Sequence, residues 1–192
     1  MSDYKHITPF ILQSEGGQSS AITDAASKWP RPAGVGAVHT NKGITWQAFQ
    51  ATTKCDEGAA SCQQFLEMKY ETWLTVWKRG YWDAVRASEI NSQRIADLVA
   101  WWAWGSGAGT AIKQVQQVLK RRGIALSVDG QIGTFTLAAI NNDNEPALYW
   151  AIYQARIDFI FAICKNNPYN EVNKQGWINA LVHYVIYQDI NK

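Results

Sequence analysis

The chain has 192 residues, of which 47% are hydrophobic and 18% charged, and its formal net charge is +2. That balance excludes disorder and supplies enough apolar surface for one domain, or for two small pieces sharing a core. It also excludes nucleic acid as the main partner, because phosphate binding needs clustered Lys and Arg and no basic run occurs.

In chain order the hydrophobic period is helical nearly everywhere and no strand signal of any strength appears, so a mainly α fold is expected. Thr8 is read as the cap of a short helix with Pro9 in its first position, where proline's missing N–H costs nothing, the alternative being a start nearer Asp3 with Pro9 as a kink. That helix runs to Ser14 or Glu15 and turns Ile7, Phe10 and Ile11 inward. Over residues 16–43 the pattern dissolves into a stretch rich in Gly, Pro, Ser and Ala. Loops this long inside compact domains are usually functional or disordered, and this one is read as a wall of a binding cleft with room for a small hairpin.

A short helix follows over "TWQAFQATT". Ser61 opens another that puts Leu66, Tyr70, Trp73, Leu74 and Trp77 on one face, and residues 88–105 group Ile95, Leu98, Val99 and Trp102. The best internal break is "GSGAG" at 105–109, which divides 1–107 from 108–192. Thr110 then caps a helix with Ile112, Val115 and Leu119 inward, ending at Gly123. "LSVDGQIGTFT" is a tight turn that re-enters a helix at Thr134. Residues 147–165 are apolar on almost every side and are expected to form the buried helix. Residues 171–190 carry a stripe of Ile178, Leu181, Val182 and Val185.

Cys55, Cys62 and Cys164 are odd in number and match no metal spacing, so they read as reduced thiols, with a Cys55–Cys62 pair as the alternative. Residues 1–20 lack a basic start followed by an apolar run. No stretch is read as long and apolar enough to span a bilayer, so no stable membrane insertion is expected. The expectation is a chain made in the cytoplasm without a signal peptide. No cofactor is implied, and no metal site.

One stretch stands out for chemistry. In "FILQSEGGQSS" a mostly apolar helix ends in Glu15, followed at once by Gly16 and Gly17. The C-terminal end of a helix carries negative partial charge, a poor place for a carboxylate. A free glutamate has a pKa of about 4.3, and an apolar setting beside a helix C-terminus should raise it. That is what a general acid needs if it is to protonate a leaving oxygen near neutral pH. Gly16 and Gly17 are read as letting the backbone turn sharply and a substrate come close. The ten Trp and eight Tyr leave several rings for a cleft, where flat faces suit sugar rings.

After "SEGG" come "TNKGIT" (40–45), "RGYW" (79–82), "KQVQQVL", "VDGQIGTFTLAAI", Arg156 and "GW" at 176–177. In that order they resemble the family-108 glycoside hydrolases, phage-type N-acetylmuramidases whose C-terminal part is similar to a peptidoglycan-binding module. The resemblance covers about residues 5–185. It implies a lysozyme-like catalytic part over 1–107, with a helical peptidoglycan-binding-like part over 108–192 packed on it. It also implies cleavage of the β-1,4 bond between N-acetylmuramic acid and N-acetylglucosamine in bacterial peptidoglycan. Carried over, Glu15 is the catalytic acid, and Thr40 and Gly43 shape the cleft floor. Some members are described as secretion activators, and release through a holin-like pore or host lysis would bring the chain to the wall, in the periplasm or outside. The chain departs from the family in a longer link, "SSAITDAASKWPRPAGVGAVH", and in "WWAWGSG" (101–107), which keeps only the Ser-Gly of an Asn-Ser-Gly.

The second carboxylate that glycoside hydrolysis calls for is assigned to Asp24, the alternative being a loop acid bonded to its own backbone. Asp97 reads as a structural acid paired with Arg94 or Arg156, and Asp129 as a turn-former. His39 lines the cleft or is a plain loop histidine, and His6 and His183 carry no signal. Gly16, Gly17, Thr40, Gly43, Tyr81, Trp82 and Trp101 are the substrate-binding candidates. Core packing is the competing reading for Trp82 and Trp102, while Trp101 and Trp104 lie on other faces of their helix. Two rival functions stand beside the muramidase. One is a lytic transglycosylase using the same Glu15 and no second carboxylate; the other is a non-catalytic wall-binding or secretion-accessory protein.

Overall fold

The computed structural model describes residues 1–22 and 24–191. In chain order these form helix α1 (Thr8–Ser14), strands β1 (Gln18–Ser19), β2 (Thr40–Asn41) and β3 (Ile44–Thr45), then helices α2 (Trp46–Thr53), α3 (Ala59–Leu66) and α4 (Tyr70–Trp77). After a π turn at Lys78–Trp82 come α5 (Gln93–Ser106), α6 (Ala108–Arg121), α7 (Thr134–Asn142), α8 (Glu145–Asn166) and α9 (Glu171–Ile190). The fold is mainly α, as the periodicity predicts. An antiparallel sheet in the order β1-β2-β3 contains the small hairpin that the loop has room for, at β2–β3, and adds β1, which gave no strand signal. Its strands are two residues long, too short to display alternation. The chain forms two compact units, one of Ile11–Asp83 and one of Met1–Phe10 with Ala84–Lys192.

In the first unit Trp46, Phe49 and Phe65 are buried against one another, with ring centroids 5.4–5.5 Å apart. The register Thr40↔Thr45 and Asn41↔Ile44 leaves Lys42 and Gly43 as a two-residue turn. Their φ angles are +48° and +77°, the primed-turn shape that matches the twist of paired strands and that glycine adopts without strain. Thr45 then caps α2, its hydroxyl accepting from the Ala48 N–H at 3.2 Å.

The single helix expected from Ser61 onward is two helices, α3 and α4. Side chains from elsewhere take the carbonyls at the end of α3. The Asn41 amide donates to Phe65 O (2.7 Å) and Leu66 O (3.0 Å), and the Gln18 amide donates to Leu66 O (2.7 Å). Lys42 Nζ donates to Met68 O at 2.6 Å. The last two carbonyls of the helix are met in this way, which lets it stop there at a lower cost in orphaned groups.

In the second unit α5 buries every residue from Ile95 to Ala103, and Ser92 caps it by accepting from the Ile95 N–H at 3.4 Å. The break between α5 and α6 is one residue wide, Gly107 at φ +81°. Thr110 therefore lies in the first turn of α6 rather than capping it. Ile112, Val115 and Leu119 face inward as expected. Asp129 forms its turn as read, accepting from the Gln116 amide and the Gln131 N–H, both at 2.8 Å. At Gly130 (φ +78°) a Cβ would stand 2.9 Å from Gly109 O.

Two helix faces differ from expectation. α8 buries Leu148, Tyr149, Ile152, Ala155, Ile160 and Cys164 but leaves Trp150 and Phe161 half exposed, so it is not buried all round. On α9 the buried residues are Leu181, Tyr184 and Gln188, while Val182 is 51% exposed. The apolar stripe is rotated, because Tyr184 and Gln188 find polar partners inside. α8 is also long and apolar enough by composition to cross a bilayer, which corrects the expectation that no segment is. The same apolar content is what a helix with a packed inner face carries.

Candidate active site

Glu15 follows α1 directly, and its N–H still donates to Ile11 O at 3.1 Å, so the residue is held on the last helical turn. Beyond it the Lys42 N–H donates to Gly17 O at 3.0 Å, which ties the segment after the glutamate to the β2–β3 turn. Neither Gly16 nor Gly17 has a positive φ, so the sharp turn expected of them is not what they supply. A Cβ on either would meet no atom within 4 Å. What glycine leaves here is open space.

That space is part of an open groove of about 470 Å³ lined by Glu15, the two glycines and Leu12 on one side, and by Lys42, Tyr70 and Trp73 on the other. Among the described residues lining it, Glu15 is the one carboxylate. The far wall is rigidly built. Trp73 is fully buried and its indole N–H donates to Lys42 O at 3.0 Å, while Lys42 Nζ is held by Met68 O. Tyr70, 44% exposed, stacks on Trp73 with centroids 6.3 Å apart and planes 12° from parallel. It offers a flat aromatic face beside the carboxylate.

The stack continues from Trp73 to Trp77 and on to Tyr81, each pair 6.3 Å apart and within 19° of parallel. Tyr81 sits on the π turn after α4, a local widening of the helix often found at functional sites. Burial, and after it the negative charge of Glu15, pushes the Tyr81 phenol up to about 12. Tyr81 is thus a neutral hydroxyl within electrostatic reach of Glu15. It also lines a neighbouring depression of about 540 Å³ with Thr52, Lys54 and Arg79.

The remaining candidates are spread more widely. Asp24 caps a short 3-10 turn, accepting from the Ala26 N–H at 2.9 Å, and its other oxygen stands 3.9 Å from His39 Nδ1. It does not line the groove of Glu15. His39 is buried between the Thr40 hydroxyl (2.9 Å) and Ala21 O (3.2 Å). Thr40 and Gly43 shape the hairpin rather than the groove lining. Trp82 is fully buried and packs against Trp77.

In the helical unit Trp101 and Trp102 are buried and Trp104 is half-buried. Asp97 pairs with neither Arg94 nor Arg156. Its partner is His6 at 2.7 Å, joined by the amides of Gln93 and Gln188. All three cysteines are free, and among the described residues no group of three or more His, Cys, Asp or Glu is placed to hold a metal ion.

Sequence reasoning missed Lys42, Tyr70 and Trp73 as lining residues. The two aromatics read as one apolar stripe with Leu66. A Lys-Gly pair inside the expected hairpin was the available signal for Lys42.

No curated protein matches the chain in sequence. Among solved structures it is similar to that of Brucella abortus SagA, with 17% identity and a TM-score of 0.71 over 96% of this chain and 94% of that one. Residues 110–182 match a family described as a predicted peptidoglycan domain. Residues 8–107, more than half of the chain, match the glycosyl hydrolase 108 model. The chain therefore belongs to the glycosyl hydrolase 108 family, hydrolases that act on peptidoglycan.

Proposed function

We propose that the protein is a muramidase that cleaves the β-1,4 bond between N-acetylmuramic acid and N-acetylglucosamine, with Glu15 as general acid. The observation that carries this reading is the groove itself. Among the described residues its one carboxylate, Glu15, stands at the end of α1, beside open space left by two glycines and an exposed aromatic face on Tyr70. In this mechanism the protonated Glu15 carboxyl gives its proton to the glycosidic oxygen as the bond to the anomeric carbon breaks. The neutral Tyr81 phenol stays within electrostatic reach of the carboxylate once that proton has left. On this reading the chain acts on the wall from the periplasm or outside the cell.

The test is a turbidity assay on purified cell walls with wild type and Glu15→Gln. General acid catalysis contributes about 10²–10⁴-fold, so the variant should clear walls at least about a hundredfold more slowly while pelleting with them as wild type does. Equal clearing by the two proteins removes Glu15 from the chemistry. If both are inert yet still pellet with walls, the accessory role is the better reading.

One observation favours a second mechanism. Asp24 lies outside the groove lining, where Glu15 is the one carboxylate among the described residues. A lytic transglycosylase needs only one, because the muramic acid's own 6-hydroxyl attacks in place of water and Glu15 first gives and then takes the proton. Mass spectrometry of released fragments separates the two: anhydro ends mean transglycosylation, reducing ends mean hydrolysis.

A further inference from the structure

The arginines of the helical unit are not treated alike. Arg86, Arg94 and Arg122 each grip a carboxylate, those of Glu89, Glu145 and Asp143. Arg156, on α8, grips none. Its guanidinium carbon lies 3.7 Å from the Trp101 ring centroid and 5.9 Å from that of Trp102. Among the described residues its Nη1 is buried without a hydrogen-bond partner and no ion pair reaches it. The indole Nε1 of Trp102 is a second buried donor with no acceptor among the described residues. Burial opposes the charge and lowers the guanidinium pKa from its ordinary value.

A cation–π contact recovers part of this cost, on the order of 0.5–2 kcal/mol. It supplies no acceptor for the N–H groups. A desolvated cation without a counter-charge weakens a fold, and an orphaned buried donor calls for a missing partner. Two such donors on one guanidinium–indole pair call for an acceptor, and a carboxylate fits the planar guanidinium fork with two parallel bonds.

We propose that Arg156, with the Trp102 N–H beside it, is the seat for a free carboxylate of peptidoglycan, either the lactyl group of muramic acid or an acid of the stem peptide. The site rests on the reading of the wall as substrate and names the chemical group that it recognises. It distinguishes muramyl glycans from neutral ones such as chitin. The cation is kept at a cost to stability because its partner arrives with the substrate.

Binding is measured by calorimetry on the full chain carrying Glu15→Gln, so that no ligand is consumed. The probes are a N-acetylglucosamine–N-acetylmuramic acid disaccharide with a free lactyl acid, the same disaccharide bearing its stem peptide, and neutral chitotetraose. Replacing Arg156 by Gln should weaken one or both acidic ligands about tenfold or more, the scale of a charge-assisted hydrogen bond, and leave chitotetraose unchanged. Loss on the free disaccharide assigns the lactyl acid; loss confined to the peptide-bearing one assigns the stem.

Two further variants guard the result. Arg156→Met should unfold at the same or a higher denaturant concentration, because it removes an uncompensated charge. Arg156→Lys, which keeps the charge and loses the fork, should recover only part of the affinity. Unchanged affinity for all three probes, or equal losses on all three, overturns the proposal, and so does a Met variant that is destabilised while binding as before. Arg156 would then be a packing cation with ordered water on its N–H groups. These readouts do not depend on turnover, so this site and the role of Glu15 stand or fall separately.

Discussion

The two units meet their buried polar groups in different ways. In the unit of residues 11–83, side chains reach to backbone: Asn41, Gln18 and Lys42 take the carbonyls that end α3, and Trp73 takes Lys42 O. In the helical unit, side chains reach to one side chain. The fully buried Asp97 receives His6, Gln93 and Gln188, which come from the N-terminal segment, α5 and α9. The first arrangement fixes where short elements begin and stop, and so fixes a groove wall. The second fixes how long helices stand against each other. Damage should therefore be graded and local in the first unit, and abrupt in the second.

The sharpest way to break this contrast is Asp97→Ala. The carboxylate accepts from His6 at 2.7 Å, Gln93 at 2.9 Å and Gln188 at 3.0 Å. Removing it strands a cationic imidazole and two amides around a buried void. Breaking a buried pair by deleting one partner costs about 3–5 kcal/mol, so urea unfolding should lose that much, enough to threaten folding in a marginally stable chain. A loss under about 1 kcal/mol would mean that water replaces Asp97, and that the network is not what joins these three segments.

Asn41→Ala probes the other unit. Asn41 is buried and its amide meets two carbonyls. Their loss should cost about 1–3 kcal/mol, less than Asp97 because no charge is stranded. The effect should extend to the groove, since the turn that presents Lys42 follows Asn41 directly. Wall clearing should fall with little change in the helical unit's amide exchange. Equal loss of protection in both units would erase the distinction between local and abrupt damage.

The same contrast governs what the sequence made legible. Period-3.6 patterning revealed α6, because Ile112, Val115 and Leu119 share one face. It misjudged α9, where apolar and amphipathic residues alternate around the helix and only packing selects Tyr184 and Gln188 over Val182. The stop between α3 and α4 left no local mark, because the groups that make it lie about the hairpin, 24 residues or more upstream. The partner of Asp97 was hidden in the same way: spacing favours Arg94 on the same helix, yet Arg94 holds Glu145 and the partner is His6, 91 residues away. At the groove, the Glu-Gly-Gly stretch and the hairpin turn could be read as motifs. Tyr70 and Trp73 could not, because a groove wall and a core stripe have one periodicity.

The smallest effect is the most specific to the helical unit. His6 Nδ1 stands 2.7 Å from Asp97 and Nε2 3.0 Å from Asn191 O. Both neighbours are acceptors, so both ring nitrogens must carry hydrogen, as only the imidazolium can. The hydrogen bond to Asp97 is the largest cause that raises the His6 pKa from 6.5 to about 9, against the opposing effect of burial. A pKa raised on folding means that the folded chain holds its proton more tightly than the unfolded one. The stabilisation is complete below about pH 6.5 and is lost as the pH climbs through about 9. With the imidazole a quarter exposed, screening reduces the effect to about 1–2 kcal/mol. Melting temperature should accordingly fall by roughly 2–8 °C between pH 6.5 and 9.5. In His6→Gln that slope should vanish, because the amide donates to Asp97 at every pH. A wild-type profile as flat as the variant's would mean that a neutral ring satisfies only one of its two acceptors, and that Asp97 is balanced by its amides alone.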